Sequence, residues 1–260
     1  MPRITSSQAR AELLAAGITG PNQSHSRRNV VSKIEALQGT EPEETFGLSD
    51  VARHSPEEVL GLLSDLTGCW RDLAECEGFD RIDPDRTMEG ILAAARRLAD
   101  EAARGATLLC ATGHPTGMLE HHIHVVEAYR RAGGKVLRLR EDENIHIKPG
   151  KHREVRYVGG VGCLADWGNL QHTHSAAPME ALLEPGQWPD IVLGDHGFAG
   201  AAIERGIPTI AIMDINDVAL AIAATRGRDV IIVPMDDNRL PHSYEPSWRL
   251  IAQVIAGEDE

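Results

Sequence analysis

No stretch of this 260-residue chain approaches the length of apolar run that crosses a membrane, although 42% of its residues are hydrophobic. A membrane is therefore not expected as a partner. Positive charge is also scarce: 26 Lys and Arg stand against 39 Asp and Glu, a formal net charge of −13. Nucleic-acid binders usually carry a basic stripe, so nucleic acid is not expected either. A phosphorylated small molecule stays open, because it needs only local donors or a metal ion. The four cysteines, Cys69, Cys76, Cys110 and Cys163, lack the paired spacing of a zinc site. In a reducing compartment they read as small buried side chains. The polar opening Met1–Gln8 lacks the charged-then-apolar order of an export signal, and cytoplasmic residence is the expectation. Internal repeats and low-complexity linkers are missing as well.

What is present falls into two parts. Residues 1–105 read as a helical cap, with helices over Ser7–Ala16, Asn29–Leu37, Ser55–Leu66, Gly68–Gly78 and a long one ending at Arg104. Cys69 and Cys76 would then share a helix face. Between the first two helices, Gly20–Arg28 reads as a loop rich in polar donors. Residues 106–260 alternate between β and α and read as the catalytic core. Strands are expected over Thr107–Ala111, Lys135–Leu139, Leu170–Thr173, Asp190–Gly194, Pro208–Met213 and Val230–Met235. The helices between them are expected over Gly117–Ala132, Ala177–Leu183, Phe198–Arg205, Asp217–Thr225 and Glu245–Ile255. Arg153–Val158 reads as a strand or edge hairpin. Strands this apolar, alternating with helices, predict a three-layer, Rossmann-like α/β fold with a mostly parallel sheet covered on both faces.

Five polar clusters stand where those strands end. They are Thr112–Gly117, His172–Ser175, Asp195–Gly197, Asp214–Asp217 and Asp236–Asn238. In an open parallel sheet, ligands bind in the crevice outside the carboxyl ends of the strands. The first cluster opens a helix, where backbone N–H groups and two glycines can hold an anion. It is neither a P-loop nor a GxGxxG turn. His172 and His174, two apart in an extended segment, point to one side and make a compact pair of ligands. Asp195 and Asp214 tip buried strands, where a carboxylate is costly unless a cation or donors compensate it. Capping accounts for one acid per loop, and Asn216 or Asp217 is expected to cap the next helix. On the helix after the first cluster, His121 and His124 are spaced to share an ion, but polar positions on an amphipathic helix are the favoured reading, and His122 above all reads as solvated.

Oxygen and imidazole ligands together suit a divalent ion such as Mg²⁺, Mn²⁺, Co²⁺ or Ni²⁺. Beside an anion-holding helix start, such an ion suits phosphoryl transfer to water. The expected ligands are Asp195, Asp214, Asn216 and one of His172 or His174. Gly113, Thr116, Gly117 and Ser175 are expected to hold the phosphate, with Arg28 from the cap as a further contact. His114 or His196 would carry the proton. Asp195 would be the nucleophile were a phospho-enzyme formed, although the haloacid-type Asp-x-Asp is absent from every strand tip. Asp236 and Asp237 are adjacent, so their side chains are expected to diverge.

The motifs Ala-Thr-Gly-His-Pro-x-Gly at 111–117, His-Thr-His-Ser-x-x-Pro-Met at 172–179, Asp-His-Gly-x-Ala-Gly at 195–200 and Asp-x-Asn-Asp at 214–217 also resemble a family. They are similar to those of actinobacterial proteins described simply as phosphatases. The likeness runs over most of the chain, with Val218 where a proline is expected and Asn238 where histidine is common. It implies phosphatase activity without assigning residues. The order of a helical part before an α/β core looks like that of metal-dependent metabolite phosphatases of the damage-control type, by architecture alone.

The expected function is metal-dependent hydrolysis of a phosphomonoester on a small metabolite, a sugar, nucleoside or similar. A metal-dependent hydrolase of C–N or ester bonds would use the same histidines and aspartates. A non-catalytic sugar-phosphate or nucleotide binder would need the anion loop alone. A (β/α)₈ barrel is disfavoured, since the alternating part has about 150 residues against roughly 250. Expected partners are a small phosphorylated metabolite and, should the protein assemble, further copies of itself.

Overall fold

The computed structural model describes residues 3–39, 41–184, 186–225 and 229–258. The N-terminal elements are α1 (Ser6–Ala15), β1 (Gly20–Ser26), α2 (Arg27–Ala36), α3 (Pro42–Thr45), α4 (Pro56–Thr67), β2 (Phe79–Ile82) and α5 (Pro84–Ala103). Next come β3 (Thr107–Thr112), α6 (Pro115–Arg131), β4 (Lys135–Val136), β5 (Glu154–Val158), β6 (Val161–Asp166), β7 (Asn169–Leu170) and α7 (Ala177–Leu183). The chain continues through β8 (Ile191–Gly194), α8 (His196–Glu204), β9 (Thr209–Met213), α9 (Val218–Ala223), β10 (Val230–Pro234) and α10 (Glu245–Ile255).

Strands β10-β9-β8-β3-β6-β5 lie side by side in that order, and β3, β6, β8, β9 and β10 are parallel. Along one edge of β3, β4 pairs with its first residues and β6 with its last. From β3 the chain therefore runs first to one side, through α6 and β4, and later to the other, at β8. That reversal creates the crevice in which such sheets bind ligands. Alternation along each strand divides the core. Leu108, Cys110, Ile191, Leu193, Ile210 and Ile212 face a layer built by α1, α5, α6 and α10. Leu109, Ala111, Val192, Ala211 and Met213 face α2, α4, α7, α8 and α9. Both faces are covered, which is why the strands carry no polar alternation. The fold is the expected three-layer, Rossmann-like α/β arrangement.

Several elements differ from expectation, each for a local reason. Gly20–Ser26 is a strand, paired antiparallel with β2, and not a loop. Residues 68–78 are not helical, so Cys69 and Cys76 do not share a helix face. The carbonyls of Asp72 and Glu75 there accept from Arg27, whose guanidinium is fully buried against Asp80. β4 stops at Val136 because β6 takes over the edge of β3. The backbone of Leu139 is held instead by the Tyr157 hydroxyl, which accepts from its N–H and donates to its carbonyl. Of the expected strand at 170–173 only Leu170 is in the sheet, as the last residue of β7. Packing also crosses the pattern boundary near residue 105, since Leu13 of α1 and Ile91 and Leu98 of α5 share a core with the sheet. Among the described residues no helix is long and apolar enough to cross a membrane.

Candidate active site

Because β3, β8, β9 and β10 run parallel, their carboxyl ends share one edge. There the chain delivers His114, Asp195–His196, Asp214–Asp217 and Asp236–Asp237. The segment 171–175 crosses beside them, anchored by the Thr173 N–H donating to the Gly113 carbonyl at 2.9 Å. A Cβ at Gly113 would lie 2.2 Å from the Thr173 carbonyl oxygen, and one at Gly197 2.3 Å from the Ser175 carbonyl. Glycine at both positions lets that segment reach the strand tips. His172 and His174 are thereby brought to His196, with ring centroids 5.4 and 4.4 Å away, and the His114 ring stacks on His172 at 4.5 Å.

His196 is the hub. It is buried at the start of α8 with φ +44°, a conformation side chains other than glycine's seldom adopt and one that surrounding structure must enforce. Its Nε2 lies 3.2 Å from Asp237 Oδ2 and 3.5 Å from Asp217 Oδ1. The other oxygen of Asp237 lies 3.0 Å from His114 Nδ1. Two sets of potential ligand atoms result, each within 4.8 Å of one another: His114, His172 and His196, and His196, Asp217 and Asp237. At the far side, Asp214 Oδ2 faces His25 Nε2 of β1 at 3.3 Å.

The electrostatics are those of a crowded, dry acidic site. Burial opposes protonation of His196, but Asp217, Asp237 and Asp195 outweigh it and raise its pKa to about 10. Burial likewise pushes Asp217 up to about 6 against the pull of His196. For Asp214 burial dominates; His25 opposes it, Asp237 adds to it, and the pKa rises to about 8. Asp237 goes the other way: burial opposes its ionisation, yet His114 and His196 hold it below the usual carboxylate range. Burial and the neighbouring His196 and His172 lower His174 to about 3. His114 Nδ1, His196 Nδ1, Asp214 Oδ2 and Asp237 Oδ2 are buried without a hydrogen bond of acceptable geometry. Close approach without hydrogen-bond geometry, in a nitrogen and oxygen donor set, fits a divalent cation.

The sequence-predicted residues fare unequally. Asp195 is fully buried, but both its oxygens are engaged: Oδ2 accepts from Thr112 Oγ1 and Oδ1 from the Gly113 N–H, each at 2.5 Å. It faces His196 Nδ1 at 3.7 Å and stands outside both ligand sets. Asp214 is also outside them, and Asn216 lies half-buried in the same loop. The expected phosphate donors at Gly113 and Gly117 are likewise spent, the second on the His114 carbonyl at 3.2 Å. A Cβ at Gly117 would meet the Asp237 carbonyl at 2.2 Å, so that glycine admits the 236–239 loop. Thr116 is exposed at the mouth. Ser175 Oγ accepts from the Ala177 N–H at 3.2 Å, at the start of α7. Arg28 is a surface residue facing Glu77 at 3.8 Å and does not reach the cluster.

Three members escaped the sequence reading. Asp217 was expected as a cap, yet its side chain does not cap α9 and turns to His196. The divergence expected of Asp236 and Asp237 is seen: Asp236 binds Ser24 and Arg239, while Asp237 enters the site. His25 arrives from β1, a segment that reads as a loop in the sequence. On α6, His122 is fully buried 3.8 Å from Asp195 and is not a solvated position. His121 and His124 do not share an ion: one contacts Ser247 Oγ, the other stacks on Trp248.

A cleft of about 390 Å³ adjoins the cluster, lined by His114, Thr116, Gly117, Asn238, Arg239 and Leu240. A larger groove of about 460 Å³ between α6 and α10 is lined by none of the two ligand sets. Comparison with known proteins matches the model of a family described as Phosphatase to residues 4–256. Phosphatase SCO2771 of Streptomyces coelicolor is 34% identical over 227 residues, covering 85% of each chain.

Proposed function

Since the chain belongs to the Phosphatase family, we propose that it hydrolyses a phosphomonoester of a small metabolite with the help of a divalent ion. The convergence of His196 Nε2, Asp217 Oδ1 and the buried, unpaired Asp237 Oδ2 at the carboxyl edge of the sheet carries this reading. His196 Nε2, Asp217 and Asp237 would hold the ion. When bound, it supplies Lewis acidity, drawing charge from the phosphoryl oxygens and making water more acidic. The imidazole share of the donor set favours a first-row ion such as Mn²⁺, Co²⁺ or Ni²⁺ over Mg²⁺.

Asp195 acts through His196. Held by Thr112 and Gly113, its carboxylate lies 3.7 Å from Nδ1 without a hydrogen bond, places negative charge behind the ring and leaves Nε2 for the ion. Thr116 offers its hydroxyl to the phosphate at the mouth, and the adjoining cleft is in the size range of a small-molecule site. His114, expected as a proton carrier, sits against Asp237 and suits ligation better.

Phosphate release from a panel of sugar phosphates and nucleotides tests the reading, with and without chelator. Release is expected to stop on chelation and return with Mn²⁺ or Co²⁺. Release undiminished by complete chelation overturns the role of the ion. Cleavage of carboxyl esters or amides without phosphate release overturns the substrate class. In Thr112→Val the shape is kept, but Asp195 loses a donor. Divalent-ion affinity by calorimetric titration is expected to fall about 10–100-fold; unchanged affinity would remove Asp195 from the support of the site.

A further inference from the structure

We infer that Ser247, His121 and His122 form a buried, directed chain that holds Asp195 in place behind His196, which makes His122 a positioning residue of the site. The inference rests on the metal-dependent reading above, in which Asp195 acts through His196, and carries the support of the site inward to α10.

Two adjacent imidazoles lie wholly inside the protein, in the layer that covers one face of the sheet. His121 and His122 of α6 and Ser247 of α10 are each fully buried. Their contacts run in one line. Ser247 Oγ lies 3.0 Å from His121 Nε2, and His121 Nδ1 lies 3.0 Å from His122 Nδ1. His122 Nε2 then faces Asp195 Oδ2 at 3.8 Å and makes no hydrogen bond. Asp195 in turn faces His196 Nδ1 at 3.7 Å. Core packing gives no reason for such a line, because buried polar nitrogens cost free energy that apolar side chains would not.

Proton counting gives the chain its direction. Burial keeps both rings neutral: it holds His121 well below its ordinary pKa and lowers His122 to about 4. A neutral imidazole has one N–H and one bare nitrogen. Between the two Nδ1 atoms, one must donate and the other accept. Were His122 the donor, its bare Nε2 would face the Asp195 carboxylate, acceptor against acceptor in a buried space where that is costly. With His121 as donor, its Nε2 accepts from the Ser247 hydroxyl, and His122 turns an Nε2–H toward the carboxylate. At 3.8 Å that last contact is one of charge and dipole, not a hydrogen bond. Asp195 Oδ2 thus lies between the Thr112 hydroxyl and the His122 ring, while Oδ1 accepts from Gly113. The carboxylate is held from the core side as well as from β3.

The test uses the full chain with ¹⁵N-labelled histidine, since nuclear magnetic resonance reads which ring nitrogen carries the proton. His121 is expected in the Nδ1–H form and His122 in the Nε2–H form, each signal assigned by its loss in a single variant. An Nδ1–H form of His122 overturns the inference and leaves the metal-dependent reading standing. His122→Leu fills the space without a donor. Its divalent-ion affinity by calorimetric titration should fall about tenfold, with the fold kept by circular dichroism. His122→Gln sets an amide N–H near the place of Nε2 and should restore most of that affinity, which a role in packing alone does not predict. Unchanged affinity in His122→Leu, or an equal loss in His122→Gln, overturns the inference too. Should His122→Leu not fold, the tautomers of the wild type decide. No bound ion in the wild type, together with chelator-resistant phosphate release, overturns both this inference and the metal-dependent reading.

Discussion

Asp237→Asn is expected to lower kcat/KM for phosphate release by about a thousandfold, the largest loss of activity from any single change considered. The amide keeps the shape of the carboxylate and removes its charge from between His114 and His196, which it approaches at 3.0 and 3.2 Å. On the proposed reading, this charge is what the amide can no longer offer a divalent ion. Losing several kcal/mol of charge stabilisation, at 1.36 kcal/mol per factor of ten, gives about that factor. The fold should survive, because Asp237 makes no contact that orders a strand. Asp236 does that work, accepting from Ser24 and from Arg239. Steady-state kinetics with circular dichroism as control checks this. Activity within tenfold of the wild type would remove Asp237 from the reaction.

Asp80→Ala should have the largest effect on stability. Arg27 and Asp80 are both fully buried, with Nη1 2.6 Å from Oδ2, and the guanidinium also donates to the carbonyls of Asp72 and Glu75. Removing the acid leaves a buried cation without its counter-charge, at a cost of about 3–5 kcal/mol. For a chain of this size that lowers the melting midpoint by roughly 10 °C. The paired change Arg27→Met with Asp80→Leu should recover part of the loss, because no charge is then stranded and the exposed residues 72 and 75 can turn their carbonyls to water. A melting midpoint unchanged in Asp80→Ala would mean that the pair does not anchor residues 68–78.

Much of the α/β core could be read directly. Runs such as Ile191–Leu193 and Ile210–Met213 are apolar at every position, as strands buried on both faces are. The spacing of His172 and His174 likewise foretold that both rings reach one place, since alternation in extended backbone is local geometry. The N-terminal half was less legible. Residues 68–78 were mistaken for a helix because their carbonyls answer to Arg27, about 45 residues earlier. Gly20–Ser26 reads as a loop in the sequence because its pairing partner, Phe79–Ile82, is equally remote.

The candidate site divides the same way. That acids and imidazoles crowd the carboxyl ends of parallel strands follows from order along the chain: each buried strand must end, and here each ends in polar residues. Which acid of each loop turns inward does not follow. In the 214–217 loop Asp214 is the expected ligand, whereas Asp217 is the acid that faces His196; in the next loop Asp236 is tied to Ser24 and Arg239 while Asp237 faces His114 and His196. Chain order thus specified the parallel strands β3, β8, β9 and β10, the edge and the chemical types gathered there, because these depend on neighbours a few residues apart. The assignment of individual side chains belonged to the folded molecule, because it depends on contacts between segments that meet only once the sheet has formed.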